Sequence, residues 1–159
     1  MLAHFVGDVH QPLHVGAVYL DMGGQEVDPD MTTFDPQSAT RGGNSLKHGT
    51  QNLHSEWDTL PPSLKIDKFE TQAVSLAGMV APTTGTLDKW PIAWASETVV
   101  ASHKAFAGVT FGPEQSSGNS RHWAFQPPSG YATKRRTVQK TQLVHAGARL
   151  AQLLEAIWP

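Results

Sequence analysis

Two histidine–carboxylate pairs carry the clearest chemistry in the sequence. His4 and Asp8 stand four residues apart, and so do His54 and Asp58. On a helix that spacing puts both side chains of a pair on one face, near enough to share an ion. A fifth group, His14, lies two residues past Pro12. Proline has no N–H to return to the carbonyl of Asp8, so a helix through Asp8 must kink or end there. The break can turn His14 toward a different ion from His4 and Asp8. The chain has 8 His and no Cys, which removes disulfides, thiol nucleophiles and thiolate metal sites together. Any bound metal must be held by imidazole and carboxylate, a donor set that suits zinc in an open, catalytic coordination. Histidines merely hydrogen-bonded to neighbouring carboxylates would show the same spacing, so spacing alone leaves both readings open.

The elements that must position these groups follow from composition and periodicity. A length of 159 residues fits one domain. Apolar residues at 39%, with 14 Gly besides, match an ordinary globular chain and exclude disorder or a fibrous repeat. No apolar run approaches the roughly 18 residues of a membrane-spanning helix. Charged residues are sparse at 16% and the formal charge is −2, so net charge exerts no strong pull on nucleic acid. The first residues carry no basic region, and Asp8 follows too soon for a signal peptide. No Ser, Thr, Asp or Asn precedes Leu2 to cap a helix, which predicts a helix that once continued upstream.

Residues 2–13 are expected to form that helix, ending near Pro12. Residues 18–27 read as a small hairpin about Gly23-Gly24, and residues 28–45 as a long irregular loop. A short helix is expected over 50–58, halted by Pro61-Pro62. Helical spacing recurs over 69–80, with Phe69, Ala73, Leu76, Ala77 and Val80 in one stripe. It recurs over 90–106 through Trp94, Val99, Ala101, Ala105 and Phe106. Residues 112–133, rich in Gly, Ser, Pro and Gln, read as a second long loop. The last helix, 134–158, shows Leu143, Ala146, Leu150, Leu153, Leu154 and Ile157 at helical intervals. The expected fold class is therefore mainly α, with one small β-hairpin and long loops.

The segments around the two pairs narrow the readings. The run from His4 through Gly16, HFVGDVHQPLHVG, resembles a signature segment of the S1/P1 nucleases, zinc-dependent enzymes that prefer single strands and share a helical fold with zinc phospholipase C. Arg41-Gly42-Gly43-Asn44 and then Asn52 through Thr59, NLHSEWDT, are similar to the family's next two segments, in the right order. Trp94-Ala95-Ser96-Glu97 and the run from Ala146 to Ala151 are similar to its later helices. The resemblance implies a phospholipase C/nuclease-type helical fold, truncated at the N-terminus, with residues 1–159 forming a single partial nuclease domain.

The resemblance also assigns roles. His4 is implied as a ligand of one zinc in a close pair, and Asp8 as the carboxylate bridging that pair and the one candidate catalytic residue. His14, His54 and Asp58 are implied as the protein ligands of a third, separate zinc. In the family a hydroxide between the paired ions attacks phosphorus, the lone zinc steadies the departing 3′ oxygen, and products carry 5′-phosphate. Bound zinc lowers the pKa of its water to about 7, which makes hydroxide accessible at neutral pH. Three ions are implied for the full-length family, and one complete site, His14/His54/Asp58, for this chain. The remaining ligands of the paired ions are expected upstream, so the chain by itself is expected to be inactive and to leave apolar surface exposed near Phe5 and Val9. The implied function is a zinc-dependent endonuclease and 3′-nucleotidase acting on single-stranded DNA and RNA. The alternatives are a zinc phospholipase C-like phosphodiesterase, which is expected to carry Glu where Asp58 stands, and a non-catalytic zinc-binding remnant. The full-length family is expected to be secreted or periplasmic; oligomeric state is not legible.

Other residues have simpler expected roles. Asn44 reads as a turn residue tolerating positive φ, or as an outer contact of the site or substrate. Trp57 is expected to pack beneath the site, with base stacking as its alternative. His10 is expected outside the ligand set, behind a ligand or toward solvent; His48, His103, His122 and His145 are expected to be structural or exposed. Asp21, Asp28, Asp30 and Asp35 do not match a calcium loop. Lys134-Arg135-Arg136 reads as a solvated run, with a phosphate contact as the alternative.

Overall fold

A computed structural model of the chain describes residues 1–31, 35–117 and 120–159. Among these residues six α-helices are present: α1 (Leu2–His10), α2 (Pro12–Val15), α3 (Leu53–Asp58), α4 (Ile66–Ala77), α5 (Trp90–Phe106) and α6 (Tyr131–Ile157). Four strands, β1 (Leu46–His48), β2 (Gln51–Asn52), β3 (Thr110–Ser117) and β4 (Ser120–Gln126), form one mixed sheet in the order β2–β1–β4–β3. No described helix is long and apolar enough to cross a membrane.

The sheet overturns the expected fold class. Helices still predominate, but residues 112–133 are not a loop: most of them build β3, β4 and the first turn of α6. Residues 118–119 of that stretch, and 32–34 of the expected loop over 28–45, lie outside the described residues. β4 pairs antiparallel with β3 and parallel with β1, setting Leu46 opposite Trp123. The register of β3 shifts between Phe111 and Glu114. Gly112 and Pro113 fall at that shift, where a bulge accommodates a residue with no N–H to pair. The expected hairpin over 18–27 reduces to isolated bridges, Leu20 with Glu26 and Tyr19 with Ala39. Its turn is real: Asp21 Oδ1 accepts from the N–H groups of Gly23 and Gln25, each at 2.8 Å.

The helix expected over 2–13 is two helices. Gln11 leaves helical geometry at φ −82°, ψ 118°, and its side-chain oxygen caps α2 by accepting from the Leu13 N–H. Pro12 takes the first position of the new helix, where its missing N–H costs nothing. The break that proline forces is thus a re-start, and it puts His14 on a separate helix from His4 and Asp8.

Three buried clusters hold the elements together. One joins the sheet to α2, α3 and the facing ends of α5 and α6, through Leu13, Leu46, Trp57, Trp123, Phe125 and Tyr131. A second packs Val6 of α1 on Trp90 and Trp94 of α5, with Val9, Leu150 and Leu153 around it. The third contains Phe69, Ala73, Leu76, Ala77 and Val80, the stripe expected for that segment, against Val144. Phe5 is 59% exposed on α1, while Val9 belongs to the second cluster. The exposed apolar surface therefore falls on Phe5 and Leu2, not on Val9.

Helix α6 buries a polar face that hydrophobic spacing does not show. Gln139 donates to the carbonyls of Trp57 and Thr59, and Gln142 to the carbonyl of His10 and to Thr98 Oγ1. Arg149, 6% exposed, bonds His10 Nε2 at 2.9 Å and pairs with Glu97. Buried polar groups must be partnered, and here the partners tie α6 to α1, α3 and α5.

Candidate metal centre

His14, His54 and Asp58 converge. Their potential ligand atoms all lie within 4.8 Å of one another, the one group of three or more such residues among those described. Two separate helices deliver them. α2 supplies His14 from its third position, and α3 carries His54 and Asp58 one turn apart on a single face. Asn52 starts α3 by accepting from the Ser55 N–H at 2.8 Å. Below it, Glu56 holds His48 of β1 at 2.5 Å and Arg135 of α6, so α3 is braced from both sides. Arg135 is therefore a structural ion-pair partner rather than part of a solvated run.

Backbone geometry orients the imidazoles. His54 Nδ1 lies 2.8 Å from the carbonyl oxygen of Gly42, which can only accept, so Nδ1 carries the proton. In the neutral ring Nε2 then bears a lone pair. That lone pair faces Asp58 Oδ2 at 3.5 Å. His14 Nε2 faces Asp58 Oδ1 at 3.3 Å, and the two rings stack with centroids 4.9 Å apart and 3° between planes. An imidazole lone pair aimed at a carboxylate is unfavourable unless a proton or a cation lies between them. Ligand atoms around a tetrahedral zinc at about 2.0–2.1 Å sit about 3.3 Å from one another. The two nitrogen–oxygen separations, 3.3 and 3.5 Å, are near that spacing, so the donor set can accommodate an ion of this kind.

The loop that supplies the Gly42 carbonyl is shaped by positive φ. Arg41, Gly42 and Gly43 have φ of 51°, 59° and 86°, whereas Asn44 does not. A Cβ on Gly42 would lie 2.1 Å from the Leu13 carbonyl oxygen, so only glycine lets this loop approach α2. Asn44 is exposed and donates to the Arg41 carbonyl at 3.0 Å, closing the turn instead of occupying its left-handed position.

Asp8 and His4 lie beside this centre. Asp8 Oδ2 is 3.2 Å from His4 Nε2, and Asp8 Oδ1 is 3.5 Å from His14 Nδ1. The His14 ring thus stands between two carboxylates, Asp8 on one edge and Asp58 on the other. His4, with its side chain 73% exposed, is not part of the converging group. Trp57 is 2% exposed, and its Nε1–H donates to Tyr131 Oη at 3.0 Å, so its ring lies beneath α3 and no base can stack on it. Burial pushes the Tyr131 hydroxyl up to about 12, and that hydroxyl donates in turn to the Ala105 carbonyl.

His10 is 1% exposed and faces neither solvent nor the centre. Its Nδ1–H donates to the Val6 carbonyl at 2.7 Å and its Nε2 accepts from Arg149. Burial, reinforced by the Arg149 charge, lowers its pKa to about 4.

An open cleft of about 590 Å³ reaches the centre, lined by Phe5, Asp8, His14, Arg41 and His54 among others. On the opposite side a cavity of about 180 Å³ runs between Asp8, Gln11 and Asp58. A larger cavity, about 670 Å³, lies between α4, α5 and α6 and contains none of the five candidate ligands. Chemistry rather than volume therefore locates the site in the smaller cleft. Three of the acidic residues in the 21–35 stretch form turns: Asp28 and Asp35, like Asp21, each accept from the N–H two residues on.

The family model of the S1/P1 nuclease matches residues 1–159, the whole chain, and the chain belongs to that family. No curated protein and no solved structure matches it.

Proposed function

We propose that this member of the S1/P1 nuclease family holds a zinc ion on His14, His54 and Asp58 and takes part in hydrolysis of phosphodiester bonds in single-stranded DNA and RNA. Family membership implies nuclease chemistry and a nucleic-acid substrate; zinc, strand preference and 5′-phosphate products are the finer reading. The observation that carries it is the convergence of three donors, with both imidazole Nε2 atoms facing a shared carboxylate.

When bound, zinc supplies a Lewis acid for a phosphate oxygen and screens the negative charge of the substrate. The chain's own residues do the rest. Gly42 fixes the His54 tautomer through its carbonyl, and Asp8 Oδ1 lies 3.5 Å from the outer nitrogen of His14. Arg41, on the wall of the same cleft, is placed to meet a phosphate. Asp8 and His4 form the adjoining pair of donors at which the role of Asp8 as a bridging, catalytic carboxylate is proposed.

The test pairs metal with nucleic acid. Zinc binding should be close to one ion per chain and should be lost in His54→Ala. A labelled single-stranded oligonucleotide should bind more tightly with zinc than without, and a duplex of the same length more weakly. Equal binding with and without zinc, or retention of the ion by His54→Ala, would overturn the reading.

A further inference from the structure

We infer that Gln11 is a positioning residue of the metal centre, whose one side chain locks both the re-start that aims His14 and the carboxylate of Asp58. The inference rests on the zinc reading above. The Gln11 side-chain oxygen accepts from the Leu13 N–H and so sets the first turn of α2, two residues before His14. Its amide nitrogen donates to Asp58 Oδ1 at 2.8 Å, across 47 residues of sequence. Asp58 is the last residue of α3, with its side chain 48% exposed. Without a donor its carboxylate would rotate freely about a broad terminal torsion. Gln11 is the one hydrogen-bond donor to its carboxylate among the described residues, the two imidazoles lying at 3.3 and 3.5 Å.

Each ligand then has one outer partner. His54 Nδ1 has the Gly42 carbonyl, His14 Nδ1 has Asp8, and Asp58 Oδ1 has Gln11. Such partners orient metal ligands, and losing one typically lowers metal affinity by about 10–100-fold. Gln11 differs from the other two because it also caps a helix, so moving it disturbs two ligands from one point.

The two bonds can be separated by substitution. Gln11→Ser keeps a good N-cap acceptor but is too short to reach Asp58; Gln11→Ala loses both. In the metal-free protein the side-chain amide signals of Gln11 should shift by NMR in Asp58→Ala. Zinc competition against a chromophoric chelator should then show Gln11→Ser binding about 10-fold or more weakly than wild type, with an unfolding temperature close to it. Gln11→Ala should lose at least as much affinity and also melt lower. An Asp58→Ala spectrum with unchanged Gln11 amide signals overturns the clamp. Wild-type zinc affinity in Gln11→Ser, while His54→Ala loses zinc, overturns the positioning role and leaves the metal reading standing. Undiminished zinc binding by His54→Ala overturns the metal reading and with it the role of Gln11 toward the ion, while the NMR comparison still scores its bond to Asp58.

Discussion

The His14 and His54 rings lie parallel, 4.9 Å between centroids, and both turn Nε2 toward the one carboxylate of Asp58. Two imidazoles from different helices reach this arrangement only because α2 begins afresh at Pro12 and because the 41–43 loop pins His54 through its other nitrogen. The pairing of a broken helix with a glycine-dependent loop is what makes the centre.

Zinc should stabilise the folded chain through this centre. An ion that binds only the native state adds about 2.7 kcal/mol at a hundred times its dissociation constant. The melting temperature should therefore climb with zinc concentration in wild type and in His103→Ala, an exposed position on α5. It should not climb in Asp58→Ala or His14→Ala. Thermal scans across a zinc series, with chelator as the zero point, decide the matter.

Gly42→Ala should damage fold and metal binding together. The left-handed conformation alone costs a non-glycine residue about 1–2 kcal/mol, and the added Cβ would meet the Leu13 carbonyl oxygen at 2.1 Å. Relief requires the loop to withdraw from α2, which takes the Gly42 carbonyl away from His54. Urea denaturation should show a loss larger than the conformational cost, and zinc affinity should fall with it. By contrast, Gly85→Ala, also at positive φ but with open space around its Cβ, should lose stability without losing zinc.

Acid should weaken the α1–α5–α6 junction through His10. Its pKa in the fold, about 4, lies below the ordinary 6.5, because burial and Arg149 oppose its protonation; Val6 and Glu97 favour it, and His145 adds to the opposition. The unfolded chain takes up the proton near pH 6.5 and the folded chain does not. The stability due to neutral His10 is therefore complete above about 6.5 and drains away as pH falls toward 4, by on the order of 3 kcal/mol. His10→Gln does not titrate, so its stability gap to wild type should narrow over that range. A gap that stays constant from pH 7 to 4 would show that His10 is protonated in the fold as readily as in the unfolded chain.

What was legible in the sequence differs sharply between the site and the scaffold. The spacing of His54 and Asp58, and Pro12 ahead of His14, made all three candidate donors, because helical spacing and proline act locally; that the three belong to one set was implied by the family resemblance and not by spacing. The apolar stripe from Phe69 to Val80 was legible for the same reason. The sheet was not, since the β1–β4 pairing joins residues far apart and Gly, Ser and Pro dominate the composition around β3. A signal did exist: Trp123 and Phe125 are buried at alternate positions of β4, the period of a half-buried strand. On α6 the buried residues include Gln139, Gln142 and Arg149, whose partners come from three other helices. No hydrophobic periodicity reports a face held by hydrogen bonds. The positive φ expected at Asn44 falls instead on the three residues before it, two of them the glycines best suited to carry it.

Turnover by the 159-residue chain should be absent even with zinc bound. Among the described residues the complete donor set is His14, His54 and Asp58. Asp8 is approached by His4 and His14, but His14 is committed through Nε2 to Asp58. That leaves His4 and Asp8 as two donors where a catalytic zinc ordinarily has three from protein, and the His4 side chain is 73% exposed, with little packing to hold it. The proposed centre could polarise a phosphate oxygen, but among the described residues no third donor joins His4 and Asp8 to hold an ion that would align the attacking water. Proximity and orientation are worth up to about 7–11 kcal/mol of a barrier, so their loss is enough to erase measurable cleavage. The chain should therefore bind zinc and retain single-stranded oligonucleotide without shortening it over a long incubation with excess zinc. Robust chelator-sensitive cleavage that disappears in Asp8→Ala would show instead that His4 and Asp8 suffice to align the nucleophile.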